Sequence, residues 1–249
     1  FMKITFLGTS HGVPEVNRFC TSVLLESGGK HYLIDAGAPI SDLLIRNKVA
    51  FKDISAIFIT HLHGDHVDGL VQFADLSAWF YKDAAPRIFT PEMALRDALE
   101  AWQDMLFTDS RCNFDYTEIA PGLIYSDDVI KVTAIPTKHL VVDLPDRKRR
   151  SYAFDVVSAD GKRILFTGDL THGMTDFPEI AYREHFDIIV VEGAHTRVDH
   201  AIDILSPCKT DKMVLSHIAP ANPHERIIAA RNALPFPFID ASDGQCFEC

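Results

Sequence analysis

Between Thr60 and His66 the chain reads Thr-His-Leu-His-Gly-Asp-His, so three imidazoles and one carboxylate fall within six residues. The apolar run 54–59 just before it reads as a buried strand, which delivers all four side chains from one short loop. In such a loop the alternate residues His61 and His63 can face one point, while Asp65 and His66 face another a few ångströms away. Imidazole nitrogen beside carboxylate oxygen suits Zn, Mn or Fe, and favours a Lewis-acid centre over a redox or purely structural one. The plain alternative is a surface loop rich in histidine, which does not require four donors at so strict a spacing.

Other donors recur at the ends of strand-like segments. The first third of the chain is dominated by β-type segments at 3–8, 22–26 and 31–35, each bounded by Gly, Pro or Asn. A short helix is expected over 41–47 and the ligand-bearing strand over 54–60. From His66 onward Val67, Leu70, Val71, Ala74 and Ala78 keep a helical period, and Pro91-Glu92 opens a helix with Leu95, Leu99, Trp102 and Leu106 on one stripe. The second half has strands at 129–135, 152–157, 163–167, 187–191 and 213–216, with helices near 178–183 and 223–234. Asp35, Thr60-His61, His139, Asp169 and His217 all sit at strand ends. Two sheets packed face to face with helices outside would bring those ends to one edge. With no low-complexity linker and no repeat, residues 1–249 read as a single domain.

Hydrophobic residues make up 47% of the 249, ample for a sizeable core, and no apolar run approaches the roughly 20 residues that span a bilayer. The start of the chain is too short and strand-like for a signal peptide. Five scattered cysteines argue for a reducing, cytoplasmic setting. Cys246 and Cys249 have Cys-x-x-Cys spacing, which reads either as a second metal or redox site or as a strand end. A net charge of −11 argues against a broad nucleic-acid surface. Locally, however, Lys138 and the run Arg147-Lys148-Arg149-Arg150 form a basic cluster, unless that run is only a solvated hairpin tip. Trp79, Phe80, Tyr81, Trp102, Phe107 and Tyr116 crowd the segment 73–116, as core, as a pocket wall or as a dimer contact.

Together these motifs resemble the metallo-β-lactamase-fold hydrolases. Their His-x-His-x-Asp-His signature with Gly close behind is matched by His61, His63, Asp65, His66 and Gly69. Leu33-Ile34-Asp35-Ala36-Gly37 is similar to the family's strand-end Asp-x-Gly. Pro136-Thr137-Lys138-His139 resembles the segment carrying the third histidine, Phe166-Thr167-Gly168-Asp169 the Gly-Asp that supplies a bridging carboxylate, and Leu215-Ser216-His217 the last strand-end histidine. The resemblance implies a four-layer αββα sandwich of the α/β class. It also implies two divalent metal ions, Zn foremost and Mn or Fe accommodated, with His61, His63 and His139 on one, Asp65, His66 and His217 on the other, and Asp169 bridging. Two such metals about 3.5–4 Å apart share a water, lower its pKa and clamp the electrophile, so the nucleophile is hydroxide. Asp35 then reads as the acceptor that fixes the tautomer of a liganding histidine, its alternative being a turn residue before Gly37. Asp65 serves as ligand and as proton acceptor.

Leu7-Gly8-Thr9 through Pro14, with the Pro-Thr-Lys-His and Gly-Asp segments, most resembles the ribonuclease Z and cyclic phosphodiesterase branch. In phosphodiesterase branches a histidine between the bridging Asp and the last His acts as general acid or phosphate contact. His200 fits that place better than His195, which makes Asp65 and His200 the expected catalytic pair. His11, in a loop of small residues, is a further candidate. Ribonuclease Z carries a long arm between the third histidine and the Gly-Asp, whereas residues 152–169 here are only a hairpin turning at Ala159-Asp160-Gly161-Lys162. The resemblance therefore implies a small anionic substrate: a small phosphodiester, a cyclic nucleotide or a short oligonucleotide, met by a homodimer away from membranes. Two other classes stay open. One is a carboxylic ester, thioester or lactone hydrolase of the glyoxalase II or lactonase type. The other is a non-catalytic metal-binding scaffold.

Overall fold

A computed structural model describes residues 1–106, 110–143, 145 and 148–249. Phe107 of the aromatic segment and Arg147 of the basic run lie outside the described residues. The first half of the chain supplies strands β1 (Met2–Gly8), β2 (Ser22–Ser27), β3 (Lys30–Ile34), β4 (Ile54–Phe58), β5 (Arg87–Thr90) and β6 (Asp115–Glu118). The second supplies β7 (Gly122–Ser126), β8 (Ile130–Asp143), β9 (Lys148–Ser158), β10 (Arg163–Phe166), β11 (Ile188–Gly193), β12 (Met213–Ile218), β13 (Phe238–Asp240) and β14 (Cys246–Glu248). They pair as two seven-stranded mixed sheets, in the orders β14-β1-β2-β3-β4-β5-β6 and β13-β12-β11-β10-β9-β8-β7. Helices α1 (Ile40–Arg46), α2 (Gly64–Val67), α3 (Gly69–Trp79) and α4 (Ala94–Met105) serve the first sheet, and α5 (Ile180–Arg183), α6 (Ile202–Leu205) and α7 (His224–Ala233) the second.

The layering comes from the period of two along each strand. On β4, Ala56 and Phe58 face the space between the sheets, while Ile57 and, just beyond the strand, Ile59 join the outer cluster with Leu70 and Phe73 of α3. On β12, Val214 faces inward, and Met213 and Leu215 pack outward with Ile227 and Ala230 of α7. Strands covered on both faces read as unbroken apolar runs, which is why 54–59 and 187–191 lack alternation. Between the sheets Phe58 stacks on Phe89 at 5.1 Å and approaches Phe154 at 6.0 Å, and burying each ring contributes about 2–3 kcal/mol. This is an α/β sandwich of two mixed sheets flanked by helices.

Parallel pairing through β3-β4-β5-β6 and β10-β11-β12-β13 points the carboxyl ends of the central strands to one edge. In open α/β sheets that edge is where ligands bind. Some elements depart from the sequence reading. Strands β5, β6, β7 and β13 are additional to it, being three to five residues long with too few positions to show a period. The helix expected from His66 is two, α2 and α3, joined at Asp68. Strand β8 runs on to Asp143 and pairs with β9, so this hairpin reaches beyond the sheet. Cys246 opens β14 and Cys249 lies one residue past it, still extended and bonded to Met2, which puts them on opposite faces, Cys246 exposed and Cys249 against the inter-sheet core. They do not converge on a shared site. Of the aromatic segment, Phe73 is core and Tyr116 packs on the same cluster, but Trp79 (49% exposed), Phe80 (76%) and Trp102 (40%) are not core. Among the described residues no helix is long and apolar enough to cross a membrane.

Candidate metal centre

The first sheet contributes a pre-set loop. Asp35, one residue past β3, is buried and has φ 60°, a left-handed backbone that side chains other than glycine rarely adopt. Its carboxylate holds the start of the histidine loop in place. Oδ1 accepts the backbone N–H of Thr60 at 2.8 Å, and Oδ2 accepts the Thr60 hydroxyl at 2.9 Å and lies 2.8 Å from His66 Nδ1. A proton on His66 Nδ1 leaves Nε2 with a free lone pair facing the strand edge. Gly37 is required beside it, because a Cβ there would stand 2.2 Å from the Asp65 carbonyl oxygen.

The second sheet supplies the rest: His139 from β8, Asp169 three residues beyond β10, and His217 on β12 with φ 53°. The donors fall into two groups, His61, His63, His139 and Asp169 in one, and Asp65, His66 and His217 in the other, the ligand atoms of each lying within 4.8 Å of one another. His63 Nδ1 is 2.9 Å from His61 Nε2 and 3.3 Å from His139 Nε2. Asp169 stands between the groups. Its Oδ2 lies 3.7 Å from His61 Nε2, 3.8 Å from His139 Nε2 and 3.3 Å from His217 Nε2, and its Oδ1 3.5 Å from His66 Nε2.

The residues fit divalent cations. His66 Nε2 is buried without a hydrogen-bond partner, though Asp65 Oδ2 is 3.4 Å away. That spacing is long for a hydrogen bond, but two donors about 2.1 Å from one tetrahedral ion stand about 3.4 Å apart. Burial holds His61, His63 and His139 below the ordinary histidine range, in the neutral form that ligates metal. Burial alone would push Asp169 up, yet His217, His66 and His61 outweigh it and hold the carboxyl well below its usual range. Burial likewise opposes a charge on His66, and there Asp169 and Asp35 prevail and raise it, so a cation at Nε2 would take the place of a proton.

The structure brings His195, and not His200, beside these donors. Strand β11 ends at Gly193, so His195 sits at the carboxyl edge, its ring 4.5 Å from that of His139 and its Nδ1 3.8 Å from Asp169 Oδ2. Buried Glu192 accepts the backbone N–H groups of Ala194 and His195 at 2.5 and 3.0 Å and lies 3.2 Å from His195 Nδ1, a contact that raises the imidazole above its ordinary range. His200 is carried onward on the 3-10 turn Val198–His200, whose Val198 N–H is anchored on Asn222 Oδ1 at 2.9 Å. Its side chain is 60% exposed and joins neither donor group. His11 pairs with Glu15 at 3.4 Å, while the neighbouring Gly12 backs onto the Asp65 carboxylate.

Sequence reasoning passes over two residues. His172, three after Asp169 in the same loop, donates from Nδ1 to the His195 carbonyl at 2.7 Å. Asp176 ties the two ligand loops of the second sheet together: Oδ2 accepts the N–H of Lys138 at 2.6 Å, and Oδ1 accepts the N–H and hydroxyl of Thr171 at 2.8 and 2.7 Å.

The profile of a family described as Anti-Pycsar protein Apyc1 matches residues 2–232. The chain belongs to the Apyc1 family. Among curated relatives, ribonuclease Z of Listeria monocytogenes serotype 4b is 30% identical to this Apyc1-family chain over 167 residues, covering 66% of the chain and 52% of the relative. The chain thus spans about half the length of the first curated relatives it matches. Among solved structures, the metallo-β-lactamase-fold protein YhfI from Bacillus subtilis superposes with a TM-score of 0.78 at 18% identity, over 100% of this chain and 99% of that one. Human tRNase Z, short form, gives 0.76 at 20% identity, over 99% and 98%. The Apyc1-family chain therefore has the metallo-β-lactamase fold.

Proposed function

We propose that this chain is a metal-dependent hydrolase of phosphodiesters, acting on a small phosphodiester, a cyclic nucleotide or a short oligonucleotide. One observation carries the reading: seven donors from two sheets meet at one edge, with the Asp169 carboxylate reaching both groups. His61, His63 and His139 would hold one divalent cation and Asp65, His66 and His217 a second, with Asp169 shared. The N/O donor set suits Zn first and accommodates Mn or Fe. When bound, such a pair supplies Lewis acidity and brings the pKa of water towards neutrality.

The chain's own groups supply the remainder. Asp35 keeps the proton of His66 on Nδ1, so that Nε2 stays a donor. Asp65 would take a proton at its carboxylate. Glu192 holds His195 by Nδ1 and favours its protonated form, whose Nε2–H would be given to a leaving oxygen, the part that the sequence alone assigns to His200. Ribonuclease Z and tRNase Z among the relatives support a phosphodiester over a carboxylic ester or thioester. Residues 152–169 form a plain hairpin that turns at Gly161 (φ 85°), which favours small substrates over a folded tRNA.

The test is a panel on protein purified without added metal and then assayed for metal content: bis-p-nitrophenyl phosphate and cyclic nucleotides against thioester and lactone substrates. Phosphodiester turnover is expected, with Asp65→Asn lowering it by about 10²–10⁴-fold. Turnover of the thioester with the phosphodiesters untouched would transfer the chain to the glyoxalase II type. Partner binding that survives Asp65→Asn without any turnover would make it a scaffold. The homodimer is checked by light scattering on the same sample.

A further inference from the structure

We infer that Asn222 is the positioning residue for His195, holding the loop that carries this imidazole on both of its sides. The inference rests on the reading of His195 as the group that gives a proton to the leaving oxygen. Asn222 stands five residues beyond His217, in the turn that leaves β12, and is only 3% exposed. Its amide serves the His195 loop alone. Nδ2 donates to the carbonyls of Gly193 and Thr196, each at 2.8 Å, and Oδ1 accepts the N–H of Val198 at 2.9 Å. Gly193 comes before His195, and Thr196 and Val198 come after it. These partners dictate how the amide is turned, because the reverse would set its oxygen against two carbonyls and its NH₂ against an N–H. The pattern needs two donors and an acceptor on one short planar group, which is what asparagine offers.

Backbone bonds attach the same turn to the loop. Ala219 N–H donates to the Gly193 carbonyl at 3.1 Å, and Asn222 N–H donates to the Ala219 carbonyl at 2.9 Å. From the other side, His172 Nδ1 donates to the carbonyl of His195 itself at 2.7 Å, and Gly173 N–H donates to the Thr196 hydroxyl at 2.8 Å. Glu192 therefore fixes the ring, while Asn222 fixes the chain before and after it. In the reaction a water oxygen bonds to phosphorus, its proton going to Asp65, as the P–O ester bond breaks. The bonding pair goes to the leaving oxygen, which takes the Nε2 proton and leaves His195 neutral. A proton donor displaced by about 1 Å forfeits about 10²-fold in rate. That loss falls on a basic leaving oxygen, which needs the proton, far more than on a weakly basic one, which departs without it.

Two esters separate the cases: bis-p-nitrophenyl phosphate, with a weakly basic leaving oxygen, and diphenyl phosphate, with a more basic one. Turnover of both is measured on metal-loaded parent and variants, with metal content and hydrogen exchange of residues 193–198 read on the same samples. For His195→Ala the loss in kcat on diphenyl phosphate should exceed that on the nitrophenyl ester by about 10–100-fold. Asn222→Asp keeps an acceptor for Val198 but turns an oxygen towards the Gly193 and Thr196 carbonyls. It should show the same bias by at least about tenfold, with the parent's metal content and faster exchange in the loop. Asn222→Ser, smaller and uncharged, carries the same expectation should the aspartate variant not fold. Equal losses on the two esters in the Asn222 variants, with the bias of His195→Ala intact, would reduce Asn222 to a support of the fold and overturn the inference. No bias in His195→Ala, or no turnover by the parent, would instead sink the reading of His195 and take the inference with it.

Discussion

Replacing Asp176 by alanine unties two loops that each carry a candidate ligand. The carboxylate accepts three hydrogen bonds, from Lys138 N–H at 2.6 Å and from the N–H and hydroxyl of Thr171 at 2.8 and 2.7 Å. Lys138 adjoins His139, and Thr171 is two residues from Asp169. A hydrogen bond to a charged group contributes about 1.5–3 kcal/mol, and water replaces part of it at a half-buried site. We therefore expect Asp176→Ala to cost about 2–3 kcal/mol. If most of that energy orders His139 and Asp169, zinc affinity falls by about 10–100-fold, the size of effect seen for groups that support metal ligands. Asparagine is the informative intermediate: its oxygen still accepts from Thr171, but its amide meets the Lys138 N–H donor to donor, so about half the loss should return. Affinity is read by competition with a chelator of known strength, and folding by melting the metal-free protein. A variant that melts earlier yet holds zinc within about twofold of the parent would show that Asp176 only supports the fold.

Single positions offer other tests. Gly37→Ala places a Cβ 2.2 Å from the Asp65 carbonyl and 2.7 Å from Cys20 Cβ, so urea denaturation should show a loss of about 3 kcal/mol or more and metal content should drop. Thr60→Val removes the hydroxyl that bonds Asp35, and should cost about 1–2 kcal/mol in a chemical melt while leaving the shape of the core unchanged. Asp127 is opposed by burial but held well below the usual carboxylate range by the N–H groups of Ile130 and Val129, the Tyr32 hydroxyl and Lys30. A depressed acid contributes its stability above its unfolded pKa of about 3.9 and loses it as pH falls through the folded value. Asp127→Asn should therefore be less stable than the parent at neutral pH, with a flatter decline below about pH 4, as tracked by thermal melts across pH.

What the sequence made legible is what local spacing encodes. The cluster from His61 to His66 sits in one loop, and Asp169 and His217 fall at or near the ends of readable strands; His139 does not, because β8 runs on to Asp143 and the histidine lies where its pairing with β9 breaks between Thr137 and Val142. His195 and His200 could not be told apart on such grounds. Their difference depends on where β11 stops and on Asn222, 24 positions away, which anchors Val198. Asp176 gave no signal because its partner Lys138 is 38 positions distant. The short strands at Arg87–Thr90 and Phe238–Asp240 were hidden for another reason: they are strands only because a neighbour offers its edge.

The division of donors between the two sheets has a mechanical side. His61, His63, Asp65 and His66 hang from the first layer and His139, Asp169 and His217 from the second, so a cation held among them would act as a rivet through the sandwich. By mass action, whatever binds only the closed arrangement adds to the work of prising the layers apart. Stripping the ions should then loosen the seam between the halves before either half melts, and hydrogen exchange would show that loosening as faster labelling along the strands flanking the seam.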